Sequence, residues 1–302
     1  MSTTTMLQLV QQAATELNLS VPTAVAGITS PDTVLQLGLL NAVGYELLRE
    51  HQWQALNKAY LFTVSYTTIT GNTTSGSSNI TGASSISGLD TTYQVVGTGI
   101  NQATYIASAP SGATIPLSQP ATVTATGTTF TLTKVKYAMP SDYDRQIDRT
   151  HWDKSKHWEM LGPETAQQWE WLISGYISTG PRIRYRIFGD YFQIWPAIGV
   201  ADTLGFEYTS KAFVADSGGT AKNSFTVDTD TCIFPDRLMV LGLKKKYFEV
   251  KGFDTTVLER DYQRQLSMAK ANDAGNATLS FAPRPSQVLI GWANIPDSNY
   301  GT

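Results

Sequence analysis

Apolar side chains recur at helical spacing at the start of the chain, at Met6, Leu9, Val10, Ala13 and Leu17, which predicts a first helix with one buried face. Ser30 before Pro31 reads as a cap residue followed by proline at the first helical position. Val34, Leu37, Val43, Leu47 and Leu48 then give a second helix a broad apolar face. Past His51 and Trp53 the period changes to two. Tyr60, Phe62, Val64 and Tyr66 alternate with Leu61, Thr63 and Ser65, the pattern of a strand with one aromatic face.

From Gly71 to Thr133 the chain turns to Thr, Ser, Gly and Ala, and Asp90 is the single charged side chain. Short apolar pairs, Val95-Val96 and Tyr105-Ile106, lie between turn signals at Gly97-Thr98-Gly99, Pro110-Ser111-Gly112 and Ala125-Thr126-Gly127. This predicts a small inserted β module. The alternative is a disordered low-complexity loop, against which stands the recurrence of Ile, Val, Tyr and Leu. The flanking strands, Tyr60 to Tyr66 and Phe130 to Tyr137, are expected to pair, with the insert budding from their ends.

Pro140 ends the returning strand, and Asp142-Tyr143-Asp144-Arg145 opens a mixed-charge stretch with Trp152 and Trp158. Gly162-Pro163-Glu164 predicts a helix carrying Trp169, Trp171 and Leu172. Two strands follow around Gly189-Asp190. In the first, Ile183, Tyr185 and Ile187 oppose Arg182, Arg184 and Arg186; the second is Tyr191 to Trp195. Leu204, Phe206 and Tyr208 mark another strand, and Phe225 to Ile233 one more, turning at Asp228 to Asp230. A helix starts at Pro235-Asp236, with Leu238, Leu241 and Phe248 on one face, and ends near Gly252. The last helix spans about Asp254 to Asn272, with Val257, Tyr262, Leu266 and Ala269 inward and Glu259, Arg260, Arg264 and Lys270 outward. Gly275 to Thr302 lacks helical period and holds Pro283, Pro285 and Pro296, so it reads as an extended tail, apolar at Val288, Leu289, Ile290, Trp292 and Ile295.

The expected fold is α+β. Residues 1–58, 140–180 and 235–274 form a helical hub; residues 59–70, 130–139 and 181–234 form an antiparallel β domain; residues 71–129 are an inserted β module; and residues 275–302 are a docking tail. A chain of 302 residues is long enough for more than one core.

Charge and chemistry narrow the function. Lys and Arg number 22 against 25 Asp and Glu, a net charge of -3 that gives no general attraction to phosphate. The lone Cys232 forms no internal disulfide. No secretory signal is visible in Met1 to Gln12, and Val34 to Leu48 is too short and too polar for a membrane span. The phosphate-loop, HExxH, GxSxG and paired CxxC patterns are all missing, so neither a cofactor nor an enzymatic activity is expected. His151 and His157, six apart, fall on different sides of a helix. Asp142 with Asp144, and Asp228 with Asp230, are either seeds of a divalent-ion site or turn and cap residues. Lys244-Lys245-Lys246 reads as a solvated face. Arg182, Arg184 and Arg186 share one strand face, which suits carboxylates of a neighbouring subunit, phosphates or plain cross-strand ion pairs.

At Tyr185-Arg186-Ile187-Phe188-Gly189-Asp190-Tyr191-Phe192-Gln193-Ile194-Trp195-Pro196-Ala197, followed by Leu204-Gly205-Phe206-Glu207-Tyr208, the chain resembles the head-to-tail adaptors of short-tailed bacteriophages, the tail tubular protein A group. Three further places agree in order: Glu50-His51-Gln52-Trp53 after the N-terminal helix pair, Met139-Pro140-Ser141-Asp142-Tyr143, and Phe234-Pro235-Asp236-Arg237-Leu238. The insert departs from the minimal family pattern. The resemblance implies a dodecameric ring beneath the portal protein, joined to a tail nozzle or tube protein, with double-stranded DNA passing through and no membrane contact. It places the protein in the virion neck after assembly in the host cytoplasm. Within that expectation Val288, Ile290 and Trp292, which share strand parity, are the portal-binding side chains, and Arg182, Arg184 and Arg186 make inter-subunit or channel contacts. Two other classes are a β-rich receptor-binding or fibre-attachment protein, and a cell-wall hydrolase with two acids roughly 5 to 9.5 Å apart.

Overall fold

The structure, a computed structural model, describes residues 4–174 and 182–273. In chain order its main elements are helices α1 (Met6–Glu16) and α2 (Pro31–Glu50), then strands β1 (Asn57–Thr63), β2 (Tyr66–Thr73), β3 (Asn79–Thr81), β4 (Tyr93–Gly97), β5 (Ile115–Pro116), β6 (Ala125–Lys134), β7 (Lys136–Ala138), β8 (Tyr143–Gln146), β9 (Trp152–Asp153) and β10 (Trp158–Glu159). Helix α3 (Ala166–Ile173) precedes β11 (Arg184–Phe188), β12 (Tyr191–Trp195), β13 (Thr203–Ser210), β14 (Val214–Ala215), β15 (Ala221–Lys222) and β16 (Thr231–Cys232), and helices α4 (Asp236–Lys251) and α5 (Thr256–Asp273) complete the described chain. Its strand pairings within sheets are antiparallel, so the fold is α+β.

The hub is built around α4. Leu238, Met239, Val240, Leu241, Gly242 and Leu243 are consecutive and all buried, so this half of the helix is covered on every side. Helices α1, α2 and α5 pack against it. The segment of β14, β15 and β16 closes the remainder with Phe213, Phe225 and Phe234. That segment was expected in the β domain. It joins the hub because the start of α1 is tied to it: the Met6 amide donates to the Asp230 carbonyl at 2.7 Å, and Thr5 bridges Thr231. Helix α1 is started by a reciprocal cap between Thr5 and Gln8.

Two glycines set the approach of these pieces. A Cβ at Gly44 of α2 would stand 2.1 Å from the Phe213 ring, and one at Gly242 of α4 would stand 2.6 Å from Val43. The buried stripe of α2 is Thr33, Gln36, Leu40, Val43, Gly44, Leu47 and Leu48. Val34 lies off that stripe and is exposed, contrary to expectation. Val257 is exposed for the same reason: five residues before Tyr262, it is turned about 140° around α5.

The β domain has two sheets. In one, β1 pairs with β13 from Asn57↔Thr209 to Thr63↔Thr203, and β8, β9 and β10 extend it. In the other, β12 lies between β11 and β7. Between them Val64, Tyr137, Met160, Tyr185, Phe192, Leu204 and Phe206 form a separate core. Residues 140–174 feed this domain and not the hub. Their strands pair with β13, and α3 buries Trp169 and Leu172 against Ala103 and Trp195.

The inserted module is a sheet in the order β4, β6, β2, β3, β5 around Ile69, Ile80, Val95, Ile106, Ile115, Phe130 and Leu132. It reaches beyond 71–129, since β2 and β6 are in register from Tyr66↔Thr133 onward. The aromatic strand expected over Tyr60 to Tyr66 is therefore two strands. It breaks where the Val64 amide donates to the Asp202 carbonyl and the Ser65 carbonyl accepts from Lys134. Tyr66 ends up exposed on the module while β1 pairs with β13.

The packing sets up a paired test within one helix. Gly44→Ala is expected to lower unfolding stability by about 1–3 kcal/mol through overpacking against Phe213. Gly38→Ala, where a Cβ meets nothing within 4 Å, is expected to raise it by about 0.5–1 kcal/mol. Guanidinium denaturation of the two variants checks both signs.

Candidate functional site

The segments singled out by the resemblance come together in space. The Met139 amide donates to the Asp190 carbonyl at 2.9 Å, so the turn after β7 rests on the hairpin turn between β11 and β12. Gly189, at φ 59, makes that hairpin possible. Asp142 then accepts from Tyr208 Oη at 2.8 Å, Ser210 Oγ at 2.7 Å and Lys58 Nζ at 2.6 Å. Burial pushes the Asp142 carboxyl up, but these donors outweigh it and hold the carboxyl below the usual range. Burial, together with the Asp142 charge, moves the Tyr208 phenol the opposite way. Met139, Pro140, Tyr143, Gly189, Asp190 and Lys211 line a cavity of about 300 Å³ beside this node. With its oxygens taken by three donors, Asp142 acts as a clamp between β1, β8 and β13.

A second pair of segments meets in the hub. Trp53 packs edge-on to Phe234 at 5.3 Å between centroids, and its indole Nε1 donates to the Leu47 carbonyl. Asp144 meets Arg49 at 3.2 Å, which links the end of α2 to the Asp142 turn.

The other acidic pair is also absorbed by the fold. Asp228 accepts from the Val25 and Ala26 amides, pinning the loop between α1 and α2. Asp230 is fully buried and accepts from Lys222 and from the Thr226 and Val227 amides. Among the described residues no group of three or more His, Cys, Asp or Glu is placed to hold a metal ion. The Cys232 thiol is buried, which pushes it up to about 12.

The basic clusters are not solvated faces. Lys244 reaches Glu16 of α1, Lys245 reaches Glu259 of α5, and Lys246 reaches Glu46 of α2. The three lysine side chains are only 12–19% exposed. Because consecutive helical positions fan out by about 100° each, one tripeptide binds three different neighbours. In the arginine stripe, Arg184 pairs with Glu164 at 2.6 Å. Arg186 donates to Gln193, and its guanidinium lies 4.5 Å from the Trp169 ring centroid and 4.7 Å from that of Phe188. Two of the three arginines thus hold α3 and its approach onto the sheet, while Arg182 is exposed. Val288, Ile290 and Trp292 lie outside the described residues.

The side chains offered outward are apolar. Val34, Val250, Phe253 and Val257 are more than half exposed. They lie at the end of the hub where α2 begins and α4 passes into α5, held together by Lys251 and Asp32 at 3.2 Å. Nothing in the periodicity marked this end, because Val34 and Val257 read as core positions. Lys58 and Ser210 also escaped the sequence reading, since neither has a pattern that reveals a partner more than 60 residues away.

His151 is 1% exposed and lies in an aromatic stack, 4.1 Å from the Tyr185 ring centroid and 5.1 Å from that of Phe206, with Nδ1 3.0 Å from the Tyr185 hydroxyl. The chain matches no protein-family model, and no curated protein is found to match its sequence.

Burial lowers the His151 imidazole from 6.5 to about 4. Its folded-state value is the depressed one, so the stability it contributes is complete above about 6.5 and is lost as pH falls toward 4. The loss over that window is expected to be about 3 kcal/mol. His151→Gln should flatten this part of the pH dependence in urea unfolding, whatever its own cost at neutral pH.

Proposed function

We propose that this protein is a structural subunit of the bacteriophage neck. In this reading it is a head-to-tail adaptor whose copies form a dodecameric ring between the portal protein and a tail nozzle or tube protein, around the passage used by double-stranded DNA. The observation that supports it best is the interlocking of the resembling segments: Met139 on Asp190, Asp142 on Tyr208, and Trp53 on Phe234. Segments that match a family separately are weak signals. Segments that match it and also depend on one another physically form a single, more demanding pattern.

The surface fits the same role. Its lysine triplet is neutralised within the hub, and the net charge is -3, so passing DNA meets little fixed positive charge. Among the described residues no helix is long and apolar enough to cross a membrane. In the proposed ring, Phe253 and Val257 lie against a neighbouring copy. Arg182, the exposed member of the arginine stripe, is left for an inter-subunit or channel contact, and Val288, Ile290 and Trp292 engage the portal.

Mass photometry of the protein with a purified portal ring tests this directly. Addition of a dodecamer to the portal is expected, and truncation after Asp273 should abolish it. A protein that stays trimeric, with or without portal, contradicts the reading. Phe253→Asp combined with Val257→Asp should leave the thermal transition within the small range of surface substitutions while preventing ring assembly. Rings that persist in that variant would exclude this end of the hub as the subunit contact.

A further inference from the structure

A cavity of about 300 Å³ opens where the inserted module meets the β domain. Its walls are β4, the loop that follows it and the end of β12, including Gln94, Val96, Ile100, Asn101, Trp195 and Pro196. Gln94 is 2% exposed and Trp195 1%, yet Gln94 Oε1 and Trp195 Nε1 have no hydrogen-bond partner. One cavity thus carries a buried acceptor and a buried donor, both unpaired. Such groups are normally satisfied, because leaving them dry forfeits the hydration they had in the unfolded chain.

The site is built in advance. Thr133 Oγ1 donates to the Ile198 carbonyl at 3.0 Å and fastens the module to the β domain beside it. The Val95 amide donates to the Thr104 carbonyl at 2.8 Å, and Thr104 Oγ1 donates to the Asn101 carbonyl at 2.7 Å, which fixes the loop on β4. Ala103, at φ 56, turns that loop so that its methyl group packs with Trp195. Gly97 has no room for a Cβ, which would meet Phe130 at 2.5 Å.

No ionisable side chain lines the cavity, so a charged ligand would give up its hydration without a counter-charge. The polar groups on offer are the indole N–H and three carboxamides, from Gln94, Asn101 and Gln102. A carboxamide donates and accepts at once, which matches a hydroxyl group that does the same. Val96, Ile100 and Pro196 supply apolar surface suited to the C–H face of a sugar ring. The volume is at the small end for ligand sites. We propose that this cavity binds a neutral, hexose-sized saccharide unit. One hydroxyl donates to Gln94 Oε1, and another oxygen of the sugar accepts from the Trp195 indole. The inference stands independently of the adaptor reading and gives a role to the module that the resemblance leaves without one.

Saturation-transfer NMR on the full chain tests it, with D-glucose, D-galactose, D-mannose and N-acetyl-D-glucosamine as probes. Acetamide and the charged N-acetylneuraminic acid are the controls. At least one neutral sugar should receive saturation and shift the Trp195 indole resonance, assigned by its loss in Trp195→Phe. Gln94→Leu should weaken binding about tenfold or more. Val96→Trp, which fills the cavity from an exposed rim position, should abolish binding while leaving the fold intact even if Gln94→Leu unfolds. The proposal is overturned if none of the four sugars is saturated, if acetamide or the charged sugar binds as well as they do, or if Val96→Trp binds undiminished.

Discussion

A helix that is apolar on every side must be enclosed on every side, and α4 imposes that demand on the rest of the chain. Its buried run from Leu238 to Leu243 needs α1, α2 and α5 around it and the phenylalanine-bearing segment before it. Those pieces come from opposite ends of the sequence, so the hub forms only when the chain returns on itself. Lys244, Lys245 and Lys246 repeat the same geometry in charge, one lysine to each neighbouring helix. Isolated ion pairs of this kind are worth little, but lysine stems held at 12–19% exposure also cover apolar surface.

Everything between α2 and β14 leaves the hub and comes back, and it does so as two bodies with their own cores. The β domain is organised by a buried stack of Tyr185, His151 and Phe206 and by the clamp at Asp142. The module hangs from it at Ser65 and Lys134 and touches it again at Thr133, Ala103 and Trp195. That second contact keeps the module from being a free appendage. It also creates the cavity at Gln94.

Helix positions were legible in the sequence because periodicity and caps are local. Ser30-Pro31, Pro235-Asp236 and Gly252 mark helix boundaries in the structure, and Gly252 is left-handed at φ 76 as a terminator should be. The Gly189-Asp190 hairpin was legible for the same reason. Destinations were not. Phe213, Phe225 and Phe234 carry no mark saying which core they enter; the tie from Met6 to Asp230 decides it. The break at Val64-Ser65 interrupts an unbroken aromatic alternation, so only the partner strands reveal it. At the candidate site, the Asp142 turn stood out in the sequence, whereas its donors Lys58 and Ser210 did not. The arginine stripe was visible as a stripe, but its use in seating α3 depended on Trp169 and Glu164 being near.

The functional account joins a helical hub, whose exposed end is apolar, to β layers that face outward, in the order expected of a neck component. Electron cryomicroscopy of the neck of virions containing this protein tests that most directly. The account predicts a twelvefold ring between portal and tail into which the α1, α2, α4 and α5 hub fits, with the inserted module on its periphery. Density for the protein only at fibres or spikes, with none in the neck, would contradict it.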